Sequence, residues 1–240
     1  MNATESKKKP SLKQLLALAG LIASVLEEIF TSAQAQNWLQ NKTKLRRKLL
    51  EVFEITAEAY TEIREEWQKF YQTEFGIEVD LSAVQVPEKP AEGNYRLLFI
   101  AKGMTLNKVF TAWKFPKWRY SDDLDKAVPT NKRTATESYA IWVLAGDEPD
   151  AEFLNKSTKQ ADPSMELGMT LLERMIFESK YFAETGKHLD VKGATFCSGS
   201  RGSDGGVPGV CLGTDGWVYV GWYDLDGSDA KHGVRRAVTL

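Results

Sequence analysis

Apolar side chains at Leu12, Leu15, Leu16, Ala19, Ile22, Ala23, Leu26, Ile29 and Phe30 recur at helical spacing and predict a helix over 11–32. Ser11, following Pro10, suits its N-cap. A second run, Trp38, Leu45, Leu49, Val52, Ile55, Tyr60, Ile63, Trp67 and Phe70, steps by three and four and predicts a helix over 37–74, stopped by Gly76. Two long helices joined by a few residues form an antiparallel hairpin, whose apolar seams must cover each other or a partner. Residues 81–94 then read as a linker rich in Pro and charge. Beyond it the period changes. Strands are expected at 95–101 and 139–144, and helices at 106–113 and 166–185, the latter ending at Gly186. Short strands follow at 195–198, 207–212, 217–223 and 234–240, separated by Gly-rich turns. The class is α+β, a compact domain over 95–240 preceded by the helical hairpin of 1–80.

Composition narrows the function. The chain has 240 residues, 42% hydrophobic and 27% charged, which excludes wholesale disorder and collagen-like repeats. A net charge of −2 argues against a general polyanion binder. The hairpin itself is polarised: residues 1–48 carry a net +6 and residues 49–78 a net −6. The basic run Lys42, Lys44, Arg46, Arg47 and Lys48 offers a nucleic-acid contact. A solvated face paired with an acidic neighbour is the favoured reading, and self-association through 11–75 is the expected partner mode. Lys7–Lys9, the apolar stretch from Leu15 to Leu26 and Ser32-Ala33-Gln34-Ala35 imitate a secretory signal. Glu27 and Glu28 interrupt it, and the apolar run is too short to span a bilayer, so a retained helix and a cytoplasmic protein are expected.

Candidate chemistry is sparse. Asp122, Asp123 and Asp125 offer carboxylates for a divalent metal in a nuclease or hydrolase, as does Asp147-Glu148 more weakly. Asp at turns and helix starts is the commoner use. His188 and His232 have no neighbouring ligand at metal spacing and read as structural. Cys197 and Cys211 read as free thiols. Ser198-Gly199-Ser200 lacks the strand–turn–helix context of a nucleophile elbow, and Gly202-Ser203-Asp204-Gly205-Gly206 lacks the Lys of a phosphate loop. No enzyme, metal or cofactor is expected.

The tail follows different rules. Of 18 glycines, 11 lie from Gly193 onward, in a stretch with no Glu, no Asn and one Lys. Alternation along 217–223 puts Val218, Val220 and Trp222 on one face, expected to hold the scaffold together with Val207. Trp217, Tyr219, Gly221 and Tyr223 take the other, a Tyr- and Gly-rich mixture suited to recognition. Tyr219 and Tyr223 are expected to act as anchors that the fold does not need.

The segment Cys197-Ser198-Gly199-Ser200-Arg201, Ser203-Asp204-Gly205, Val207-Pro208, Val210, Val218, Val220 and Trp222, ending in Arg235-Arg236-Ala237-Val238, resembles the variable proteins of diversity-generating retroelements of candidate-phylum bacteria. In that family an error-prone reverse transcriptase rewrites adenines of a short C-terminal repeat, and the product has a C-type lectin fold related to the formylglycine-generating-enzyme type. The ending Gly233-Val234-Arg235-Arg236-Ala237-Val238 is similar to the Gly-Phe-Arg-Val-Ala close of that fold, with Val234 for Phe and an added Arg. The calcium triplets of lectins are not visible; Trp222-Tyr223-Asp224 only approximates one. The resemblance implies a C-type lectin-like domain over 95–240 with a variable segment over 195–240. Codon arithmetic agrees with it. Template Asn codons with randomised adenines yield Gly, Ser, Asp, Cys, Tyr, His, Arg, Leu and Val but never Glu, Lys, Met or Trp. The expected display residues are Gly202, Gly206, Gly209, Cys211, Leu212, Trp217, Tyr219, Gly221, Tyr223 and Asp224, and the expected ligand is a protein. Trp217 requires a different template codon.

Overall fold

The computed structural model describes residues 12–29, 31, 32, 36 and 60–240. The chain divides into two units, Met1–Tyr60 and Thr61–Leu240. The first contains helix α1 (Leu12–Ile29), close to the expected bounds, with Leu18, Leu21 and Val25 exposed. Ser11, the basic run from Lys42 to Lys48 and residues 37–59 of the expected second helix lie outside the described residues. The part of that helix that is described, α2 (Thr61–Phe75), belongs to the second unit.

The apolar stripe of α2 explains its placement. Trp67, Phe70 and Tyr71 are buried, and the Tyr71 hydroxyl donates to the carbonyl of Phe99 and accepts from the amide of Ala101. The segment expected as a linker is ordered against the same core. Leu81 and Val84 are buried, Arg64 donates to the Val84 carbonyl, and the Trp142 indole donates to Pro87. Its prolines lower the entropy cost of an extended path, which buried side chains then hold.

Strands β1 (Tyr95–Ile100) and β4 (Tyr139–Leu144) pair antiparallel. Between them lie helix α3 (Leu106–Ala112), strand β2 (Lys117–Arg119), helix α4 (Leu124–Ala127) and the short β3 (Thr130–Asn131). A single helical turn at Ala151–Phe153 and helix α5 (Thr158–Ala161) lead to helix α6 (Leu171–Thr185). Strands β5 (Ala194–Phe196), β6 (Ser200–Arg201), β7 (Val207–Leu212), β8 (Val218–Tyr223) and β9 (His232–Val234) complete the chain. The main sheet runs β2-β8-β7-β5-β9, while β3 pairs with β6. The architecture is mixed α+β.

Helix α6 starts later than its apolar pattern suggests. Asp162 is 2% exposed, and its carboxylate accepts the amides of Glu166, Leu167 and Gly168 and the Ser198 hydroxyl, which holds 166–168 out of helical conformation. The helix opens instead at Thr170, where Thr170 and Glu173 form a reciprocal capping box. It closes at Gly186 in the left-handed region, φ 67°. The Ser200 hydroxyl accepts the Leu171 amide, so Ser198 and Ser200 both serve the entry to α6.

The expected strand over 234–240 is also broken up. After β9, Arg235 turns inward, Arg236 bridges to Gly168 and Val238 to Trp142. The inward turn is driven by charge. Arg174 donates through Nε and Nη2 to Asp190 Oδ2 at 3.0 and 2.8 Å, and Arg235 Nη2 donates to Asp190 Oδ1 at 2.6 Å. Arg235 also donates to Thr195 Oγ1 and the Gly146 carbonyl. Arg174 Nη1 donates to Glu178, whose other oxygen meets His188 Nδ1 at 2.8 Å. Arg174, Glu178, Asp190 and Arg235 are all fully buried. Burial by itself raises the Asp190 carboxyl, but the two guanidinium groups outweigh it and hold it below the ordinary value of 3.8.

Asp190→Asn leaves two buried guanidinium groups short of charge and is expected to cost about 3–5 kcal/mol of unfolding free energy, read by urea denaturation at pH 7. Because the folded value is depressed, this contribution is complete above the ordinary 3.8 and is lost as pH falls through the folded value. The gap between the two proteins should therefore narrow only in acid below that point.

Candidate functional site

The hairpin of β7 and β8 carries the tail's distinctive composition. Its turn, Gly213-Thr214-Asp215-Gly216, is closed by the Gly213 amide on the Trp217 carbonyl, and Gly216 takes φ 81°, which a side chain resists. Parallel β2 flanks β8 on its other side. The register fixes the rows. Trp118, Tyr219 and Cys211 stand side by side, as do Gly221 and Gly209, then Tyr223 and Val207. Strand alternation puts all of these on one face and Val210, Leu212, Val218, Val220 and Trp222 on the other. Val210, Val218 and Val220 are buried, and α6 packs against β7.

The expected display residues therefore divide. Gly209, Cys211, Tyr219, Gly221 and Tyr223 share the first face, with exposed Trp217 at its edge. Leu212 does not join them: it pairs with Val218 on the α6-facing side and is half-buried. Gly202 and Gly206 lie under the indole of Trp222, where an added Cβ would meet ring carbons at 1.6 and 2.5 Å. Trp222 is half-buried and packs against Tyr120 at 5.2 Å between ring centroids. Asp224 sits in the loop after β8, its carboxylate accepting the Asp226 amide.

The first face is not uniform along its length. At the Tyr223 end it is covered by a second small core of Phe153, Phe196, Val207 and Val234, with Leu225 and Tyr223 packed against it. Tyr223 meets Phe196 edge-on at 5.0 Å, and burial pushes its hydroxyl pKa upward. Tyr223 is half-buried and packs against this core, so its ring has a structural contact as well as a place on the face. Gly209 is closed in as well, since a Cβ there would lie 2.6 Å from the Tyr223 ring and 2.9 Å from the Thr195 carbonyl.

The other end is open. Trp118 and Trp217 are 46% and 43% exposed, and the Trp118 and Tyr219 rings meet at 5.7 Å with a 45° tilt. The Tyr219 hydroxyl donates to Asp215 Oδ2 at 2.6 Å. That hydrogen bond, with one from the Trp217 amide, lowers the Asp215 pKa. Cys211 is half-buried, and Gly221 has only ordinary contact with Tyr223, at 3.6 Å. Trp118 lies outside the Gly-rich tail, and composition gave no reason to group it with Tyr219. Its one signal is the alternation Lys117-Trp118-Arg119, a single exposed aromatic between two cations.

Several of the remaining candidates make structural contacts, while Asp122 is exposed. Asp123 caps α4 and accepts Asn107 Nδ2, while Asp125 accepts the amides of Leu106 and Asn107 at the start of α3. Glu148 accepts the Lys192 amide. His188 stacks on Phe182 at 4.7 Å and meets Phe115 edge-on. His232 packs edge-on to Phe196 and Tyr223. Cys197 and Cys211 are free thiols. Among the described residues no three His, Cys, Asp or Glu side chains gather as metal ligands, and no helix is long and apolar enough to cross a membrane.

Gly209→Ser is expected to cost about 1–3 kcal/mol, because backbone as well as the Tyr223 ring must shift. Gly221→Ser should stay within about 0.5 kcal/mol of the parent, since an added Cβ meets only the Tyr223 ring at ordinary contact distance. Denaturant titration of the two variants separates the closed from the open half of the face. No family model, curated protein or solved structure matches the chain.

Proposed function

We propose that this is a ligand-binding protein whose β7–β8 hairpin displays a diversified surface on a C-type lectin-like frame, the product of retroelement-driven variation rather than an enzyme. The observation that carries this reading is the division of β8 by face. Val218 and Val220 are 1% and 0% exposed, while Tyr219 and Gly221 alternate with them on a face that is open toward Trp118 and Trp217. Side chains there can be exchanged without touching the buried valines, which is what a recognition surface under variation requires. Large exposed aromatics on a rigid strand make effective anchors, because little rotamer freedom is lost on binding.

The contacts of the tail support the same reading. Arg235, in the ending that resembles the family's close, is spent on Asp190, Thr195 and Gly146 rather than on solvent. The display positions best supported are Cys211, Trp217, Tyr219 and Gly221, joined by the fixed Trp118. Gly202, Gly206, Gly209 and Leu212 act on the surface indirectly, through Trp222, Tyr223 and the packing beneath. A protein ligand suits a strand face of this size and composition better than a small molecule, which needs a concave pocket. Self-association, as a separate partner mode, is better supported on α1 than on α2. The α2 stripe is already buried, whereas Leu18, Leu21 and Val25 of α1 are exposed.

A display library varied at Cys211, Trp217, Tyr219 and Gly221 is expected to yield binders to unrelated protein targets. An equal library varied at Val210, Val218 and Val220 should yield few folded members. Binders from neither library would contradict the proposal. A near-copy of the codons for 195–240 beside a reverse-transcriptase gene, differing only at template adenines, is the expected genomic counterpart.

A further inference from the structure

We infer that the open corner formed by Trp118, Tyr219 and Asp215 takes an arginine side chain of the protein partner, an inference that rests on the β7–β8 face being the binding surface. The two rings touch at 5.7 Å between centroids and make one continuous aromatic surface, with Trp118 46% exposed. At its edge stands Asp215, which accepts from the Tyr219 hydroxyl at 2.6 Å and has no ion-pair partner among the described residues. A phenol that donates to a carboxylate gains electron density in its ring, and an electron-rich ring attracts a cation more strongly.

Elsewhere the protein covers such rings with its own cations. Lys117 and Arg119 lie over Phe110, Lys156 and Arg236 over Phe153, and Arg96 over Tyr181. Among the described residues no Lys or Arg lies over Trp118, Trp217 or Tyr219. Asp215 is exposed, and the cations that flank Trp118 along β2, Lys117 and Arg119, lie over the Phe110 ring rather than over Trp118 or Tyr219. An aromatic plane with an unpaired carboxylate at its edge selects a cation. Arginine fits it better than lysine, because a planar guanidinium stacks on the ring and still directs N–H groups at a carboxylate.

The test uses the full chain and two small probes, N-acetyl-arginine amide and its neutral isostere N-acetyl-citrulline amide, with the indole N–H resonances of Trp118 and Trp217 followed by NMR. The arginine compound is expected to shift the Trp118 resonance saturably, with apparent affinity about fivefold above that of the citrulline compound. Asp215→Asn should weaken the arginine response about threefold, and Trp118→Ala should remove the response sensed at Trp217. Asp215 and Trp118 are exposed, so both variants keep the fold. Equal responses to the two probes, no response to either, an unchanged response in Asp215→Asn, or a lysine amide that binds as well as arginine would overturn the inference. Binders selected on the face that still require Tyr219, with no preference for the arginine probe, would leave the binding surface standing and refute its chemistry alone.

Discussion

Asp190 lies between Arg174 and Arg235 with all three side chains cut off from water. Each comes from a different part of the chain: the α6 helix, the loop before β5 and the end of the tail. A buried carboxylate flanked by two guanidinium groups tolerates little displacement, because moving any one of them strands the others without compensation. Glu178 balances the second positive charge, and Thr195 and the Gly146 carbonyl satisfy donors left over on Arg235. Such a group is costly to assemble relative to an apolar core, and what it supplies is a defined arrangement. It fixes how α6 lies on the sheet and where the tail crosses after β9. Arg133, doubly bonded to buried Glu173, repeats the device at the start of the same helix.

With the frame fixed from behind, the outer side of β7 and β8 is released from most structural duty. The release is graded. At one end Tyr223 and Gly209 are tied to Phe196 and to the Thr195 backbone, and at the other Trp217 and Trp118 are exposed beside a half-buried Tyr219. Aromatic rings lie across glycines throughout: Tyr223 over Gly209, Tyr219 over Gly213 and Trp222 over Gly202 and Gly206. A side chain introduced at one of these glycines must move the ring above it. Exchange at Gly202, Gly206 or Gly213 therefore reshapes the surface through a large neighbour, whereas at Gly209 the Thr195 backbone must give as well.

What could be read from the chain followed from local periodicity. The alternation of Val218 and Val220 with Tyr219 and Gly221, the bounds of β4 and β7, and the Gly186 stop each depend on neighbouring residues alone. What could not be read depended on distant partners. Residues 166–168 continue the apolar pattern of α6, yet Asp162 and Ser198 withdraw them from it. Trp67 and Tyr71 fit a helical seam equally well whether it faces another helix or β1, and only the Phe99 carbonyl decides. Trp118 joins Tyr219 through a parallel pairing across about a hundred residues, which no spacing rule reveals. Composition pointed to Leu212, Gly202 and Gly206 because they are codon-reachable, but that property says nothing about which face a residue occupies.

A display surface requires the open half of this face and the buried frame to be energetically separate. The most direct measurement is the unfolding free energy, by denaturant titration, of one variant carrying Cys211→Ser, Trp217→Ser, Tyr219→Ser and Gly221→Ser together. If the face is a display surface, the variant unfolds cooperatively within about 1–2 kcal/mol of the parent, the range of summed surface substitutions. A loss of about 3 kcal/mol or more, the scale of breaking a buried charge pair, would show instead that these side chains belong to the frame.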